Sequence, residues 1–249
     1  MIFNERVSDL YGLSGEEIVQ RMENFYADHS DAEKNSWRVS LPKLIEVVHR
    51  AGLGNLYLVT EYELPAGGRI DATLIGDDDN GNHRALVIEL KQWSRGGVEY
   101  YPNNGFPAIK VNAANPYLSR HPVNQTKEYT DALISNHSNV VNGQLSICGC
   151  QYLHEFELSE KDFFVQDGYS EVDISNMFVK GEEDVFADYL KSMFSPKEDN
   201  EVAKSLFVKG EYVTTEMDME IINKITESPD NIPLWHDQSK ILDYIMPLL

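Results

Sequence analysis

The sequence predicts an α/β protein in which helices cover a central sheet. Amphipathic stretches with a helical period occur near the start of the chain and again after residue 120. Between them lie three short strand-like runs joined by brief turns, and an apolar strand-like run follows the second helical stretch. The resulting order of helix, three strands, helix and strand is that of a layered α/β core.

Two helices are predicted ahead of the strands. Residues 14–28 place their apolar side chains on one helix face, and Ser14 and Glu17 occupy the positions of a capping box. A second amphipathic pattern covers residues 31–51. Because proline lacks an amide hydrogen and its ring crowds the preceding turn, we expect Pro42 to bend this helix or divide it in two.

The three strands should form an antiparallel meander. The runs at 56–64, 69–76 and 85–93 are rich in apolar and β-branched residues, and turn-forming residues separate them at 65–68 and 77–83. Connections this short join neighbouring antiparallel strands. The third run is apolar on both faces, as a central strand should be.

After the meander, a long connection, a helix and a strand are predicted. Residues 94–120 are rich in Gly, Pro and Asn and predict a connection without regular structure. The next helix should have His121 as its cap and Pro122 as its first residue, and run to about residue 134. Residues 145–153 then predict a buried strand.

The rest of the chain is acidic and predicted to be mainly helical, with helices at about 181–194, at about 215–227 and from about 235. We therefore divide the chain into an α/β core with N-terminal helices, residues 1–160, and an acidic accessory region, residues 161–249. The accessory region either packs on the core or leads to a further domain.

Composition and charge narrow the classes of function. The chain has 249 residues, 42% of them hydrophobic, which excludes disordered, collagenous and coiled-coil proteins. Its net charge is −20, and a uniformly acidic surface would repel nucleic acid. However, residues 1–60 contribute −3, residues 61–130 only −2, and residues 131–249 the remaining −15. A site for a polyanion is therefore expected in the middle of the chain.

The cysteines and the apolar segments predict a cytoplasmic protein. Cys148 and Cys150 are two residues apart, too close on one strand for an unstrained bridge and too few for a zinc site, so free thiols are expected. This suits a reducing compartment. No apolar run is long enough for a membrane span, and the first residues lack the pattern of a secretion signal.

Three residues of the meander could carry chemistry. If its second and third strands pair across the 77–83 turn, Asp71 and Glu89 become neighbours, and Lys91 shares a face with Glu89. Adjoining carboxylates resist burial unless a cation lies between them, and with the carbonyl of Leu90 they would suit Mg²⁺ or Mn²⁺. Spacing alone equally allows a solvated strand end and a turn contact.

These segments resemble a known nuclease superfamily. GRIDATLIG followed by ALVIELKQW is similar to the PD-(D/E)xK nucleases, with Asp71, Glu89 and Lys91 at the signature positions and Ile70 in place of the proline. The resemblance extends to the nuclease-like region of bacterial DNA/RNA helicase domain-containing proteins. It covers about residues 60–240 through EYELP, VIELKQW, HPVNQTKEY, CQYLHEF and MFVKGE. It implies a restriction-endonuclease-like core and metal-dependent cleavage of DNA.

The resemblance also implies further site residues. Gln125 and Tyr129 match the Gln-x-x-x-Tyr element of RecB-like nucleases, whose helix lies beside the metal and touches the substrate, although a plain helix face explains the pair equally well. An acid from the first core helix commonly completes the metal shell, for which Glu33 is our first candidate and Glu46 the second. Glu61, in the EYELP segment, is a further candidate for a position near the metal. The alternative for each of these three residues is an exposed acid.

Candidate nucleic-acid contacts lie in and after the 94–120 segment. Cations hold phosphates and aromatic rings stack on unpaired bases. The candidate cations are Arg95, Lys110 and Arg120, joined by Gln125, Tyr129 and His121, with Tyr100, Tyr101 and Tyr117 as stacking rings.

The leading hypothesis is a Mg²⁺- or Mn²⁺-dependent deoxyribonuclease, with RNA as substrate, DNA processing, antiviral defence and an oligomeric state all left open. The alternative is an inactive nuclease-fold module that binds nucleic acid or a protein such as a helicase, and a DNA mimic ranks last. The chain has no GxxxxGK[ST] phosphate loop, so the motor that follows in the resembling proteins is missing and no ATPase activity is expected.

Overall fold

The computed structural model describes residues 2–26, 29–65, 67–101, 108–113, 115–166, 169, 172–196 and 199–214. The helices predicted at 215–227 and from 235 lie outside the described residues. The strands are β1 (Asn4–Arg6), β2 (Tyr57–Glu63), β3 (Arg69–Asp77), β4 (His83–Leu90), β5 (Val98–Tyr101), β6 (Ala108–Val111), β7 (Tyr117–Arg120), β8 (Ser146–Glu157) and β9 (Met177–Lys180). The α-helices are α1 (Val7–Leu10), α2 (Gly15–Glu23), α3 (Asp31–Arg50), α4 (Pro122–Asn136), α5 (Ser138–Val141), α6 (Glu183–Met193) and α7 (Glu201–Val208).

Within the described part of the chain, six strands form a mixed sheet in the order β1-β2-β3-β4-β8-β9. The α/β class predicted from the sequence is confirmed. The meander is present, because β2 pairs antiparallel with β3 and β3 pairs antiparallel with β4. The chain then crosses over through α4 and returns as β8, which runs parallel to β4.

The two N-terminal helices begin at capping boxes. Ser14 and Glu17 form the one at the start of α2, as predicted, and Ser30 and Glu33 form the same motif at the start of α3. These reciprocal bonds satisfy amide groups that have no partner inside a helix. They also fix where each helix starts.

Of the two outcomes expected for Pro42, a bend or a division of the second helix, the division is wrong: α3 continues through Pro42 from its first residue to its last. Pro42 has no amide hydrogen for the carbonyl of Arg38, one turn earlier. Gly15 of α2 packs against that carbonyl so closely that a Cβ at this position would collide with its oxygen. In the continuous helix, the Arg38 carbonyl that receives no hydrogen bond from Pro42 is thus packed against α2.

Helices cover both faces of the large sheet. On the face we call the α3 face, Leu44 and Val48 of α3 belong to the same buried cluster as Leu74 and Leu86 of the meander. On the opposite face, the α4 face, Leu133 of α4 and Phe207 of α7 pack with Val59 and Val87. The strands of the meander are therefore apolar on both sides because both sides are covered.

The region after residue 160 is built into the same structure. β9 pairs with β8 as the last strand of the large sheet, α6 packs on α3, and α7 packs on β3 and β4. The described part of the acidic region therefore packs on the core. Cys148 and Cys150 lie in β8 as free thiols, as expected.

The prediction that residues 94–120 lack regular structure is wrong, because part of this segment forms a second sheet. A short 3₁₀ turn at Arg95–Gly97 leads into β5, β6 and β7, which form a small antiparallel sheet. Val98, Ile109 and Val111 are buried on one face of it, in a cluster with Trp93 and Phe156. The strands are only four residues long and interrupted by loop-forming residues, so their signal in the sequence is weak.

No helix in the described ranges has the length and apolar character needed to cross a bilayer.

Candidate functional site

The two carboxylates expected to adjoin oppose each other on neighbouring strands. Ala72 of β3 pairs with Ile88 of β4, so the next positions outward in this register are Asp71 and Glu89. Val87 packs on the α4 face, and Glu89, two residues later on the strand, shares that face. The Asp71 and Glu89 carboxyl groups interact directly with each other.

Glu89 is the most deeply buried of these groups, with 1% of its surface exposed. Neither of its carboxylate oxygens accepts a well-formed hydrogen bond. Its close cation is Lys91, whose Nζ lies 2.5 Å from Glu89 Oε1 as an ion pair. Burying a carboxylate without hydrogen bonds is costly, so this arrangement leaves Glu89 with unused capacity to bind a positive charge.

Lys91 is held by contacts from three directions. Its backbone amide donates to the carbonyl of Tyr152 in β8 at 3.1 Å. Its Nζ donates to Gln125 Oε1 at 3.2 Å and lies 5.1 Å from the centre of the Trp93 ring. These contacts keep the ammonium group over the carboxyl pair, close to the start of α4.

Gln125 and Tyr129, predicted to share a helix face, form one chain of hydrogen bonds with Lys91. Gln125 Nε2 donates to the hydroxyl of Tyr129 at 3.1 Å, while Gln125 Oε1 accepts from Lys91. The turn before β3 approaches this tyrosine closely, because a Cβ at Gly68 would lie 3.0 Å from Cε1 of Tyr129. Gly68 has a φ of +95°, a conformation that favours glycine.

Leu90 connects the two strands through its backbone. Its amide donates to Asp71 Oδ2 at 2.9 Å. Because the N–H and C=O of one strand residue point to the same edge, the carbonyl of Leu90 is also directed towards the β3 side. This direction is compatible with the role of the Leu90 carbonyl as a ligand, which stays a prediction.

The charges in this group alter one another's protonation. Burial and then the charge of Asp71 raise the pKa of Glu89 to about 8, although Lys91 opposes the shift. Burial also raises the pKa of Asp71, against the charge of Lys91 and the hydrogen bond from Leu90. Burial alone would lower the pKa of Lys91, but Glu89 and Asp71 outweigh it and the pKa is raised. Two acids share one ammonium, so the fully ionised group carries an excess negative charge.

Glu33, the acid expected to complete a metal shell, is engaged elsewhere. It closes the capping box of α3 by accepting from the amide of Ser30 at 2.8 Å, and it forms an ion pair with Arg69. The hydrogen bond from Arg69 lowers the pKa of Glu33 to about 2. The second candidate, Glu46, is exposed and lies 3.5 Å from Arg50. Neither is placed as a free ligand beside Asp71.

Glu61 is the unusual acid of this region. Its flanking residues pair with β3 in a register that puts Glu61 opposite Asp71, but its φ is +53°, the left-handed region that side chains rarely adopt. Trp37 Nε1 donates to Glu61 Oε1 at 2.6 Å, and Arg69 forms an ion pair with the other oxygen. Burial raises the pKa of Glu61 to about 7, against the opposing charge of Arg69.

The left-handed residue also changes which side of β2 faces the core. Tyr57 and Val59 pack on the α4 face, and strict alternation would put Tyr62 on the other face. Tyr62 instead packs on the α4 face, with its ring centre 4.9 Å from that of Phe207. The pattern EYELP was the signal in the sequence for Glu61, and a backbone conformation of this kind leaves no trace in hydrophobic periodicity.

The predicted nucleic-acid contacts fall into two groups. Lys110 and Arg120 lie on the small sheet as exposed side chains, paired with Glu99 and Glu128 respectively. Arg95 is different, because its guanidinium stacks 4.5 Å from the ring of Phe163 and donates to the carbonyl of Val98 at 3.1 Å. Arg95 therefore fastens the small sheet to the neighbouring segment.

His121 is fully buried, and we withdraw it as a nucleic-acid contact. Its Nδ1 accepts from the amide of Val123 at 3.3 Å, and its Nε2 lies 3.2 Å from the carbonyl of Phe164. These partners assign the proton to Nε2. Burial lowers the pKa of His121 to about 4, so the ring is neutral and serves as the cap of α4.

The donor set can be tested against the proposed metal. In the described residues no three His, Cys, Asp or Glu side chains come together in an arrangement that could hold a metal ion. Asp71 and Glu89 offer two carboxylates with a nearby carbonyl, which are hard oxygen donors of the kind that Mg²⁺ and Mn²⁺ prefer. Mg²⁺ is commonly bound by one or two carboxylates with water and substrate phosphate, so the residues fit such an ion.

Comparison with known proteins gave no match: no family model, no curated protein and no solved structure is similar to this chain.

Proposed function

We propose that this protein is a Mg²⁺- or Mn²⁺-dependent nuclease that hydrolyses DNA phosphodiester bonds on a restriction-endonuclease-like core. The observation that carries the proposal is the carboxyl pair of Asp71, half-buried, and Glu89, buried, on adjacent strands with Lys91 alongside. The meander followed by α4 and a parallel strand supports the proposed core. The sequence resemblance described above points to the same chemistry.

The energetics of the pair favour a bound cation. Two carboxylates in contact repel each other, and burial adds the loss of hydration. One ammonium group compensates for only part of that charge, and Glu89 gains no well-formed hydrogen bond. A folded protein that keeps such an arrangement without a ligand loses stability above the pKa of the pair. A divalent ion removes this repulsion.

In the proposed mechanism Asp71, Glu89 and the Leu90 carbonyl hold the ion. When bound, the ion supplies Lewis-acid polarisation of a phosphate and lowers the pKa of an attacking water. Lys91 orients that water and offsets the charge that grows on the phosphate. Gln125 fixes the Lys91 ammonium at 3.2 Å, and the Tyr129 hydroxyl, which accepts from Gln125, keeps its own proton to donate to a phosphate oxygen.

A cleavage assay tests this proposal. Wild type, Asp71→Ala and Lys91→Ala are incubated with single- and double-stranded DNA and RNA in Mg²⁺ or Mn²⁺, with EDTA as the blank. The matched control is Glu157→Ala, which removes an exposed glutamate that pairs with a lysine in the same way. Cleavage by wild type and control, reduced at least 100-fold in the two site variants, is the expected result. Equal cleavage by all four proteins, or by none, contradicts the proposal.

A Mn²⁺ titration by calorimetry gives a readout that does not depend on the substrate. We expect binding by wild type and by Glu157→Ala, and its loss in Glu89→Ala. Circular dichroism of each variant shows whether the fold is kept. Binding that persists in Glu89→Ala places the ion elsewhere and refutes the proposed ligands.

A second candidate function is an inactive nuclease-fold module that binds a protein, such as a helicase or another ATPase. The observation favouring it is the charge of residues 131–249, which carry −15 of the net −20 and would complement a basic partner. Metal-independent binding of a basic partner, together with no Mn²⁺ uptake and no cleavage, supports this module over the enzyme.

A further inference from the structure

The small sheet presents a mixed aromatic and cationic face to solvent. In the register of its strands Tyr101, Ala108 and Arg120 form one row across the sheet. The neighbouring row on the same face contains Glu99, Lys110 and Leu118, one from each strand. Alternation along each strand turns this outer face away from the buried residues of the inner face.

The outer face is apolar as well as exposed. Tyr101 is 40% exposed and Leu118 is 52% exposed, although each lies next to a charged side chain. Tyr100 and Tyr117 are exposed to a similar degree, but the register places them on the inner face with Ile109 and Val111. Of the eleven exposed large apolar side chains in the described ranges, Tyr101 and Leu118 thus lie together on the outer face. Such clustering marks an interaction surface rather than scattered surface residues.

The small sheet is less acidic than the rest of the protein. Its charged residues are Glu99, Lys110 and Arg120, and with Arg95 before it and Glu128, which pairs with Arg120, the local net charge is +1 in a chain of −20. Lys110 pairs with Glu99 at 3.1 Å, and Arg120 pairs with Glu128, but all four side chains are exposed. Exposed pairs contribute at most about 1 kcal/mol, so a phosphate can replace the carboxylate.

The sheet is continuous with the candidate catalytic site. Arg120 ends β7 and directly precedes His121, the cap of α4. Gln125, which holds Lys91, follows one turn later, a rise of about 6 Å along the helix axis. On the inner side, Trp93 connects the buried face of the sheet to the ammonium of Lys91. The small sheet is therefore joined to the candidate site through α4 and through its inner face.

We propose that this outer face binds single-stranded nucleic acid, with bases stacked on Tyr101 and Leu118 and phosphates held by Lys110 and Arg120. Unpaired bases expose the flat surfaces that an aromatic ring can cover, whereas in a duplex they are already stacked on one another. The role of the face in delivering a strand for cleavage rests on the proposed nuclease function. The binding itself does not.

Binding is measured in EDTA by fluorescence anisotropy, with a labelled single-stranded DNA of about 15 nucleotides and its duplex as probes. Single-stranded DNA should bind at least about 10-fold more tightly than duplex. Tyr101→Ala should weaken single-strand binding about 5-fold to 100-fold, the usual loss for one stacking ring. Tyr101→Phe keeps the ring and should stay within about 2-fold of wild type. Tyr11→Ala, at an exposed tyrosine outside residues 91–127, is the matched control.

The salt dependence separates phosphate contact from stacking. Lys110→Gln should reduce the slope of log affinity against log salt by about 0.7, the value for one phosphate contact to a single strand. Tyr101→Ala should leave that slope unchanged. Equal binding of single strand and duplex, or a Tyr101→Ala affinity equal to that of Tyr11→Ala, overturns this inference. In that case the apolar face is left for a protein partner.

The outcomes for this surface and for catalysis are independent. Cleavage of duplex DNA with no single-strand binding in EDTA refutes the stacking surface and leaves the proposed nuclease intact. Single-strand binding that depends on Tyr101, with no Mn²⁺ uptake, supports the surface and refutes the metal site.

Discussion

Replacing Glu89 with glutamine should stabilise the metal-free protein at alkaline pH. Asp71, Glu89 and Lys91 together carry a net charge of −1 when all three are ionised, and Glu89→Gln makes the group neutral with almost the same shape. Removal of a buried polar residue usually destabilises a protein. The opposite sign is expected here because the buried charge itself is unfavourable.

The magnitude follows from the pKa of Glu89, which is raised from 4.5 to about 8, mainly by burial. A carboxyl group with a raised folded pKa contributes stability that is complete below the unfolded pKa of 4.5 and is lost as the pH rises through about 8. With about 1.4 kcal/mol for each pKa unit, wild type should lose about 3 kcal/mol relative to Glu89→Gln between about pH 6 and pH 9. These conditions also avoid the isoelectric point near 4.6.

Urea unfolding in EDTA, at a series of pH values, measures this difference as the change in unfolding free energy. Glu99→Gln is the control, because the exposed Glu99–Lys110 pair should contribute less than about 1 kcal/mol at any pH. Saturating Mn²⁺ should then reverse the order by stabilising wild type and leaving Glu89→Gln unchanged. A Glu89→Gln protein that is less stable at every pH, or a control with the same pH trend, refutes the idea of an uncompensated buried charge.

Three further changes test the packing around the site by urea unfolding. Gly68→Ala should destabilise by about 1 to 3 kcal/mol, since φ is +95° and the new Cβ would lie 3.0 Å from Tyr129, whereas Gly96→Ala, with open space around it, should change stability by less than about 1 kcal/mol. Gly15→Ala should cost at least about 2 kcal/mol, because its methyl group collides with an α3 carbonyl; an unchanged midpoint would contradict this packing. His121→Asn should make the protein less sensitive to acid. The folded pKa of His121 is near 4, so wild type loses stability as the pH falls below the unfolded pKa of 6.5, by about 1 kcal/mol between about pH 7 and pH 5.5. Equal losses of stability in both proteins would refute a neutral cap.

The meander could be predicted because its information is local. Alternating apolar residues define each strand, and a short turn at 77–83 leaves little freedom in how β3 and β4 pair. Once that register is set, Asp71 must come opposite Glu89. The start of α4 was equally accessible, since His121 followed by Pro122 is a local helix-start signal and the structure shows both in those positions.

The features that the sequence did not reveal depend on distant partners. Glu33 has the same helical environment whether it is a ligand or a counter-ion, and its partner Arg69 is 36 residues away. The small sheet was missed because four-residue strands between Gly, Pro and Asn carry little periodic signal. Glu61, in its left-handed conformation, contacts Trp37 and Arg69 across the fold, and no local pattern encodes these contacts.

The acids at this end of the sheet form two pairs, Glu33 with Glu61 and Asp71 with Glu89, which differ in how well their negative charges are balanced by neighbouring donors. Glu61 receives a hydrogen bond from Trp37 and an ion pair from Arg69, and Glu33 shares the same guanidinium while capping α3. Glu89 has Lys91 as its close cation and no well-formed hydrogen bond. Beside Asp71 and Glu89 a divalent ion would compete with the Lys91 ammonium and the Leu90 amide, whereas beside Glu33 and Glu61 it would compete with the Arg69 guanidinium and the Trp37 indole. The ion would therefore lower the free energy more beside the first pair, where the two acids share one ammonium. In the proposed nuclease Arg69 would contribute to selectivity indirectly, since it pairs with the two acids that would otherwise compete for the ion.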